Sequence, residues 1–413
     1  QDLLNSMNQY RWGRHLSRAL AGRLMVWRLP ITGLVCWLAC GLVWGFVAGL
    51  VIADPVIAEP VAADLSHSDW PSFRGDAGLS GYRAEALPDE PELLWTFSAN
   101  EAIEATAAIV AGTVYVASLD SGLYAVDLES GQKRWRYAAG AEMKSSPAFY
   151  RGRVYVGDEE GVLHAVDAAS GQGLWTFAAE GAISSSPNFS GDTVLFGSYD
   201  QFVYGLEAED GQMRWRLETE GYVHATPAVV DGRAIVGGCD GFMRLIDVDS
   251  GAEVSRIAMG AYVAASAAVG GRRAFVGTFG NEVLALDLDS GEIVWRYSAP
   301  TRRFPFYASP ALAPDWLVIG GRDKMVHALD PENGVLRWTC QVQGKVDASP
   351  VIAGDKVLFA STQGGLYMAR LQSGKIVWRF DTGSGLAASP SVAGRRFVIG
   401  DDNGVLYCFG EKK

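Results

Sequence analysis

Five aspartates (Asp120, Asp200, Asp240, Asp323, Asp402) and three histidines (His164, His224, His327) are the residues that could do metal or acid–base chemistry. The carboxylates would suit a hard cation such as Ca²⁺, which needs roughly six to eight oxygens converging on one point. A histidine would serve as a base if a nucleophile and an orienting group stood within reach. Spacing argues against both uses. The aspartates recur at one place in a repeating unit, so each belongs to a different unit, and turn formation accounts for them. His164 and His327 occupy the third-strand position that Tyr124 and Tyr204 hold in other units, which reads as a packed ring. Cys36, Cys40, Cys239, Cys340 and Cys408 lack the CxxC spacing of a metal or redox site. They read as free thiols, with a Cys239–Cys340 bridge open if geometry permits. The expectation is no catalytic residue, no metal site and no cofactor.

The repeating unit sets the architecture. AVDLESGQKRW ends at Trp135, and related stretches end at Trp175, Trp215, Trp295, Trp338 and Trp378. A decayed copy puts Ser255 in phase where tryptophan is expected, and Trp95 shares only the last part. The interval is 40 residues at every step but Trp295 to Trp338, which is 43. Such a period signals a repeat fold. Within one unit, SPAFY, RVYVG, VLHAVD and LWTFAA read as four short strands separated by glycine-containing turns, with no helical segment between them. Four-stranded units repeated around a ring are propeller blades.

Two markers count the blades. A hydroxyl residue opens each first strand, at Thr106, Ser146, Ser186, Thr226, Ser266, Ser309, Ser349 and Ser389, which makes eight. Fourth strands around residues 95, 135, 175, 215, 255, 295, 338 and 378 also make eight. The last first-strand is followed by too little chain for a fourth strand, so the segment around Trp95 is expected to complete that blade and remove both free edges. The fold class expected is all-β, an eight-bladed β-propeller over residues 93–413. Trp95, Trp135, Trp175, Trp215, Trp295, Trp338 and Trp378 are expected to wedge between blades.

The rest of the chain speaks of location. Net charge is −12, and residues 1–30 carry five arginines against Asp2, leaving −16 for the remainder. An acidic body with no basic stripe excludes nucleic acid as a partner. Residues 31–53 are 23 uncharged, mostly apolar residues, long enough to span a bilayer as one helix. With the arginines ahead of it, the N-terminus should be cytoplasmic and the body exported. A cleaved signal peptide ending at Val51-Ile52-Ala53 is the rival reading. Residues 54–92 read as a linker and a strap containing DWPSFRGDAGLSGY.

AxDxxSGxxxW together with SSPxxxxGxVYVG resembles the PQQ-enzyme-type propeller repeat, the tryptophan-docking motif, and DWPSFRG is similar to the opening segment of many such bacterial proteins. The resemblance covers about residues 93–409. It implies two branches. Quinoprotein dehydrogenases bind pyrroloquinoline quinone and Ca²⁺, and carry an adjacent cysteine pair and long insertions that this chain lacks. The BamB-like branch is non-enzymatic. The chain is therefore expected to be a membrane-anchored, periplasmic binding module at the bacterial inner membrane, with protein partners in an envelope complex. A quinoprotein dehydrogenase and a small-ligand sensor are the alternatives.

What varies between repeats points to a recognition face. The segments leading into the first strands should line one mouth of the central channel. Turn chemistry does not require Glu104, Lys144, Tyr222, His224, Tyr262, Arg302, Arg303, Phe304, Phe306 or Asp347 there. Arginine and aromatic residues are enriched in binding hot spots. Together they are the candidate partner-binding set, and RRFPFY carries the three-residue insertion.

Overall fold

The computed structural model describes residues 68–300 and 302–412, so the expected basic segment 1–30, the membrane helix 31–53 and most of the linker lie outside the described residues. Among the described residues no helix is long and apolar enough to cross a membrane.

Eight sheets form the eight blades. Blade one runs Ala108–Val110, Thr113–Ser118, Gly122–Asp127 and Lys133–Ala138, from the centre of the ring outward. Its middle strands are continuously buried, and its outer strand alternates. Blade eight takes Ser391–Ala393, Arg396–Gly400 and Val405–Gly410 from the end of the chain, and its outer strand is Glu92–Ser98. Trp95 lies opposite Cys408 across that antiparallel join. The chain thus closes its own ring, as the repeat phase predicts, and neither end of the array is left as an open edge.

The repeated residues turn out to be the joints between blades. Each third–fourth strand pair carries a bulge just before the tryptophan position, as between Gly173 and Trp175. A bulge adds one residue and re-aims the next side chain. The indole then lies on the glycine of the following blade's third turn. A Cβ at Gly131, Gly171, Gly211, Gly251, Gly334 or Gly374 would overlap the ring of Trp95, Trp135, Trp175, Trp215, Trp295 or Trp338. These glycines have φ between 68° and 76°, so the position needs glycine for both backbone and space. Five indoles also donate Nε1 to a carbonyl of the next blade, at 2.7–3.1 Å. Trp175 does not, because the Ala208 carbonyl already accepts from Tyr155 Oη and Arg153.

The docked rings differ in depth. Only Trp215 and Trp295 are buried; the others are half-buried, because the docked ring lies on the rim of the seam with one face toward solvent. Trp378 has no following third turn, since the next blade is the one closed by the N-terminal strand. It packs instead on Phe380, Phe397 and Phe409. At Ser255 the seam holds no indole, and the nearest side chain to the Gly291 position is Ile257, at 4.0 Å.

Nearer the axis, the hydroxyl that opens each first strand has a purpose. The Thr106 amide donates to Ser146 Oγ, the Ser146 amide to Ser186 Oγ, and so on to Ser349 and Ser389, at 2.8–3.1 Å. These seven buried bonds stitch blades one to eight in sequence, and Ser391 Oγ of blade eight donates to the Ala107 carbonyl at the head of blade one.

The strap crosses the inner strands at the end where they turn back. Trp70 exchanges both backbone bonds with Ile109. The carbonyls of Pro71, Ala77, Gly78, Ser80 and Gly81 accept backbone bonds from Phe149, Val229, Val269, Leu312 and Ile352 in blades two, four, five, six and seven, and Asn188 Nδ2 of blade three donates to the Ala77 carbonyl. Tyr82–Arg83 pairs in parallel with the inner strand of blade seven. Trp70, Arg74 and Leu79 are fully buried, and Arg74 donates to the Pro310 and Pro350 carbonyls. The strap therefore fills that end of the ring's centre and leaves the other as the accessible mouth.

Candidate binding face at the mouth of the ring

Two sets of loops meet at the mouth. One leads into the first strands; the other joins second to third strands. They are held side by side by backbone bonds from the second set to the first, such as Cys239 to Tyr222, Phe279 to Tyr262 and Arg322 to Pro305, at 3.0–3.2 Å.

The side chains at the centre of the mouth engage one another. Lys144 Nζ lies 3.2 Å from Glu159, which also accepts from Ser184 Oγ at 2.7 Å. Tyr199 Oη and His224 Nδ1 are 2.9 Å apart, and Tyr199 stacks on Tyr222 with centroids 5.2 Å apart. Burial pushes the His224 pKa down, so its ring is neutral at pH 7. Arg322 pairs with Asp347 through two bonds, at 3.0 and 3.1 Å, and lies over the Tyr307 ring. Burial raises the Glu104 carboxyl pKa, with Lys144 opposing and Asp402, Glu159 and Glu142 adding to the rise.

The expected residues fall into three groups. Glu104, Lys144, His224 and Asp347 are half-buried at the centre. Tyr222, Tyr262, Arg302, Arg303 and Phe304 are exposed on the rim, Tyr262 by 61 % and Phe304 by 48 %. Phe306 is 1 % exposed, which corrects its assignment to the recognition face. It packs on Tyr297 and His327 and is in phase with Ile103, Met143, Ile183, Val223, Val263, Val346 and Leu386, all buried. Counting back three residues from the opening hydroxyl would have shown this.

The second loop set was missed by sequence reasoning. Glu159, Tyr199, Cys239, Phe279 and Arg322 occupy one phase of the repeat and differ in every unit, which was the available signal. The neighbouring aspartates do stabilise turns. Asp120 and Asp200 accept from the hydroxyls of Tyr124 and Tyr204, and Asp240 pairs with Arg244. Asp402 does not share their place: Asp401 makes the turn bonds in that blade, and Asp402 is exposed beside Glu104. His164 and His327 are buried rings as expected, yet each joins a Tyr–His–Asp line, Tyr137–His164–Asp158 and Tyr297–His327–Asp323, at 3.0–3.1 Å. Cys239, Cys340 and Cys408 are free thiols.

The donor set does not fit a quinone–Ca²⁺ pair. Asp347 is committed to Arg322 and Glu159 to Lys144 and Ser184, on separate blades, so their oxygens do not converge on one ion.

A family model described as outer membrane protein assembly factor BamB matches residues 87–181, 158–250, 240–379 and 299–409. No curated protein matches significantly. Among solved structures, BamB from Moraxella catarrhalis is 19 % identical with a TM-score of 0.67, covering 78 % of this chain and 98 % of that one. Quinohemoprotein alcohol dehydrogenase from Comamonas testosteroni is 15 % identical with a TM-score of 0.74, covering 86 % and 82 %. The computationally designed Ika8 protein is 16 % identical with a TM-score of 0.69, covering 79 % and 99 %. At these identities the likeness is one of fold.

Proposed function

The chain belongs to the family of outer membrane protein assembly factor BamB, and on that footing we propose that it is a protein-binding scaffold of a bacterial envelope complex, held at the inner membrane by residues 31–53 with its propeller in the periplasm. The partner docks on the mouth of the ring. The observation that carries this reading is the set of exposed Tyr222, Tyr262, Phe304, Arg302 and Arg303 on adjoining blades of one face. Aromatic and arginine side chains give large contact area and directional bonding when desolvated, which is why they anchor interfaces. The opposite end is filled by the chain's own strap, so the mouth is the face left for a partner.

Joint replacement of Tyr262, Arg302, Arg303 and Phe304 by alanine should remove co-purifying proteins from detergent-extracted membranes without lowering the melting temperature. Unchanged co-purification sinks the reading. The dehydrogenase alternative is favoured only by shared fold, and titration with pyrroloquinoline quinone and Ca²⁺ tests it directly. A bound-quinone absorbance band would overturn the scaffold assignment.

A further inference from the structure

Charge is divided across the mouth. Blades eight, one and two present exposed Asp402, Glu101, Glu142 and Glu160 there. Blades six and seven present Arg302, Arg303, Lys324 and Lys345, also exposed. Elsewhere on this protein exposed arginines are commonly held by carboxylates, as in Arg134–Asp127, Arg256–Glu253 and Arg296–Glu282. The four cations of blades six and seven have no ion pair among the described residues. Arg302 donates only to the Asp323 carbonyl, at 3.4 Å. The acids nearby are already engaged, Asp347 by Arg322 and Asp323 by His327. The four form one sector. The Arg302 contact sets it beside the Lys324 turn, and the bonds from Val342 to Lys324 and Val346 to Gly321 bring the Lys345 segment against that same turn. Phe304 and Tyr262 flank the sector with exposed rings.

We propose that this sector docks an extended acidic segment of the partner, with carboxylates on Arg302, Arg303, Lys324 and Lys345 and an apolar side chain against Phe304 and Tyr262. The inference rests on the scaffold reading and deepens it. Unpaired cations on a body of net −16 beyond residue 30 make a positive island in a repelling field. Such a field steers an acidic segment to the island and turns it away from the rest of the face. Each exposed pair adds little affinity by itself. Specificity comes from attraction and repulsion acting together, while the rings supply the anchor.

The test uses the full chain in detergent and fluorescein-labelled peptides about a dozen residues long. One is rich in Asp and Glu with two leucines; its counterpart carries Lys and Arg around the same leucines. Fluorescence anisotropy should show the acidic peptide binding about tenfold tighter at low salt, with the difference shrinking as salt screens it. Arg302→Glu with Arg303→Glu should abolish the preference, and Glu142→Lys with Glu160→Lys should leave it. Equal or tighter binding of the basic peptide overturns the proposal. So does binding of the protein to micelles doped with phosphatidylglycerol when neither peptide binds, which would mark a lipid surface.

Photo-crosslinkers placed at Phe304 and at Glu142 separate the two levels. Capture of an acidic segment at Phe304 supports the proposal. Capture only at Glu142, or of a neutral or basic segment at Phe304, overturns it and leaves the scaffold reading standing. Capture at neither site removes both.

Discussion

The Trp215 indole donates Nε1 to the Val248 carbonyl of the neighbouring blade at 2.7 Å. Its ring covers Gly251, and it is among the two docking tryptophans that are buried. Trp215→Ala should therefore cost about 3–4 kcal/mol, within the range for large core truncations. Trp135→Ala, at a half-buried ring, should cost less, about 2 kcal/mol. Urea denaturation midpoints compare the two directly.

The seam that lacks a tryptophan can be filled. Nothing approaches the Gly291 position closer than Ile257 at 4.0 Å, where six equivalent glycines lie under an indole. Ser255→Trp should raise stability by about 1 kcal/mol, as cavity-filling changes do. A fall in the calorimetric melting temperature would show that Ile257 already closes the seam.

The hydroxyl series makes a sharper demand. Ser186 Oγ accepts the buried Ser146 amide at 3.0 Å. Ser186→Ala leaves that amide without an acceptor and should cost about 1–3 kcal/mol. Ser186→Thr keeps the oxygen and should restore most of the loss, read by the same denaturation experiment.

Phe304 and Phe306 stand two residues apart and should behave oppositely. Phe306→Ala empties a core position packed on Tyr297 and His327 and should cost about 3–5 kcal/mol. Phe304→Ala should leave the melting temperature unchanged and weaken partner binding. Paired melts and binding isotherms decide it.

Glu104 gives a pH-dependent effect. Burial, with Asp402, Glu159 and Glu142 nearby, raises its folded pKa above the unfolded value. A carboxyl raised in this way opposes folding once ionised. The penalty is absent below its ordinary carboxylate range and complete above the folded pKa. Glu104→Gln should therefore stabilise the protein at neutral pH and have no effect in acid. Melting curves of both proteins across pH test the sign.

How much of this was legible in the chain depends on periodicity. The 40-residue phase, the hydroxyl marks and the short tail after Ser389 determined the blade number and the closure by the Trp95 strand, because both follow from counting strands and removing edges. They also marked which residues are joints, since a residue repeated in every blade serves contacts that every blade makes. The sequence could not say how deep those joints sit. Whether an indole is buried depends on the bulge that aims it and on what the next blade presents, as at Trp175, where Ala208 is already occupied. Nor could it place the strap, whose carbonyls find their donors in blades up to hundreds of residues away. The mouth was half legible. Segments leading into the first strands were identified from their variability, but Phe306 was misassigned, and Tyr199, Phe279 and Arg322 were overlooked because they come from the other loop set. Only folding brings the two sets together, and only then do Arg322 and Asp347 meet, while Arg302, Arg303, Lys324 and Lys345 gather in one sector with no carboxylate among the described residues to hold them.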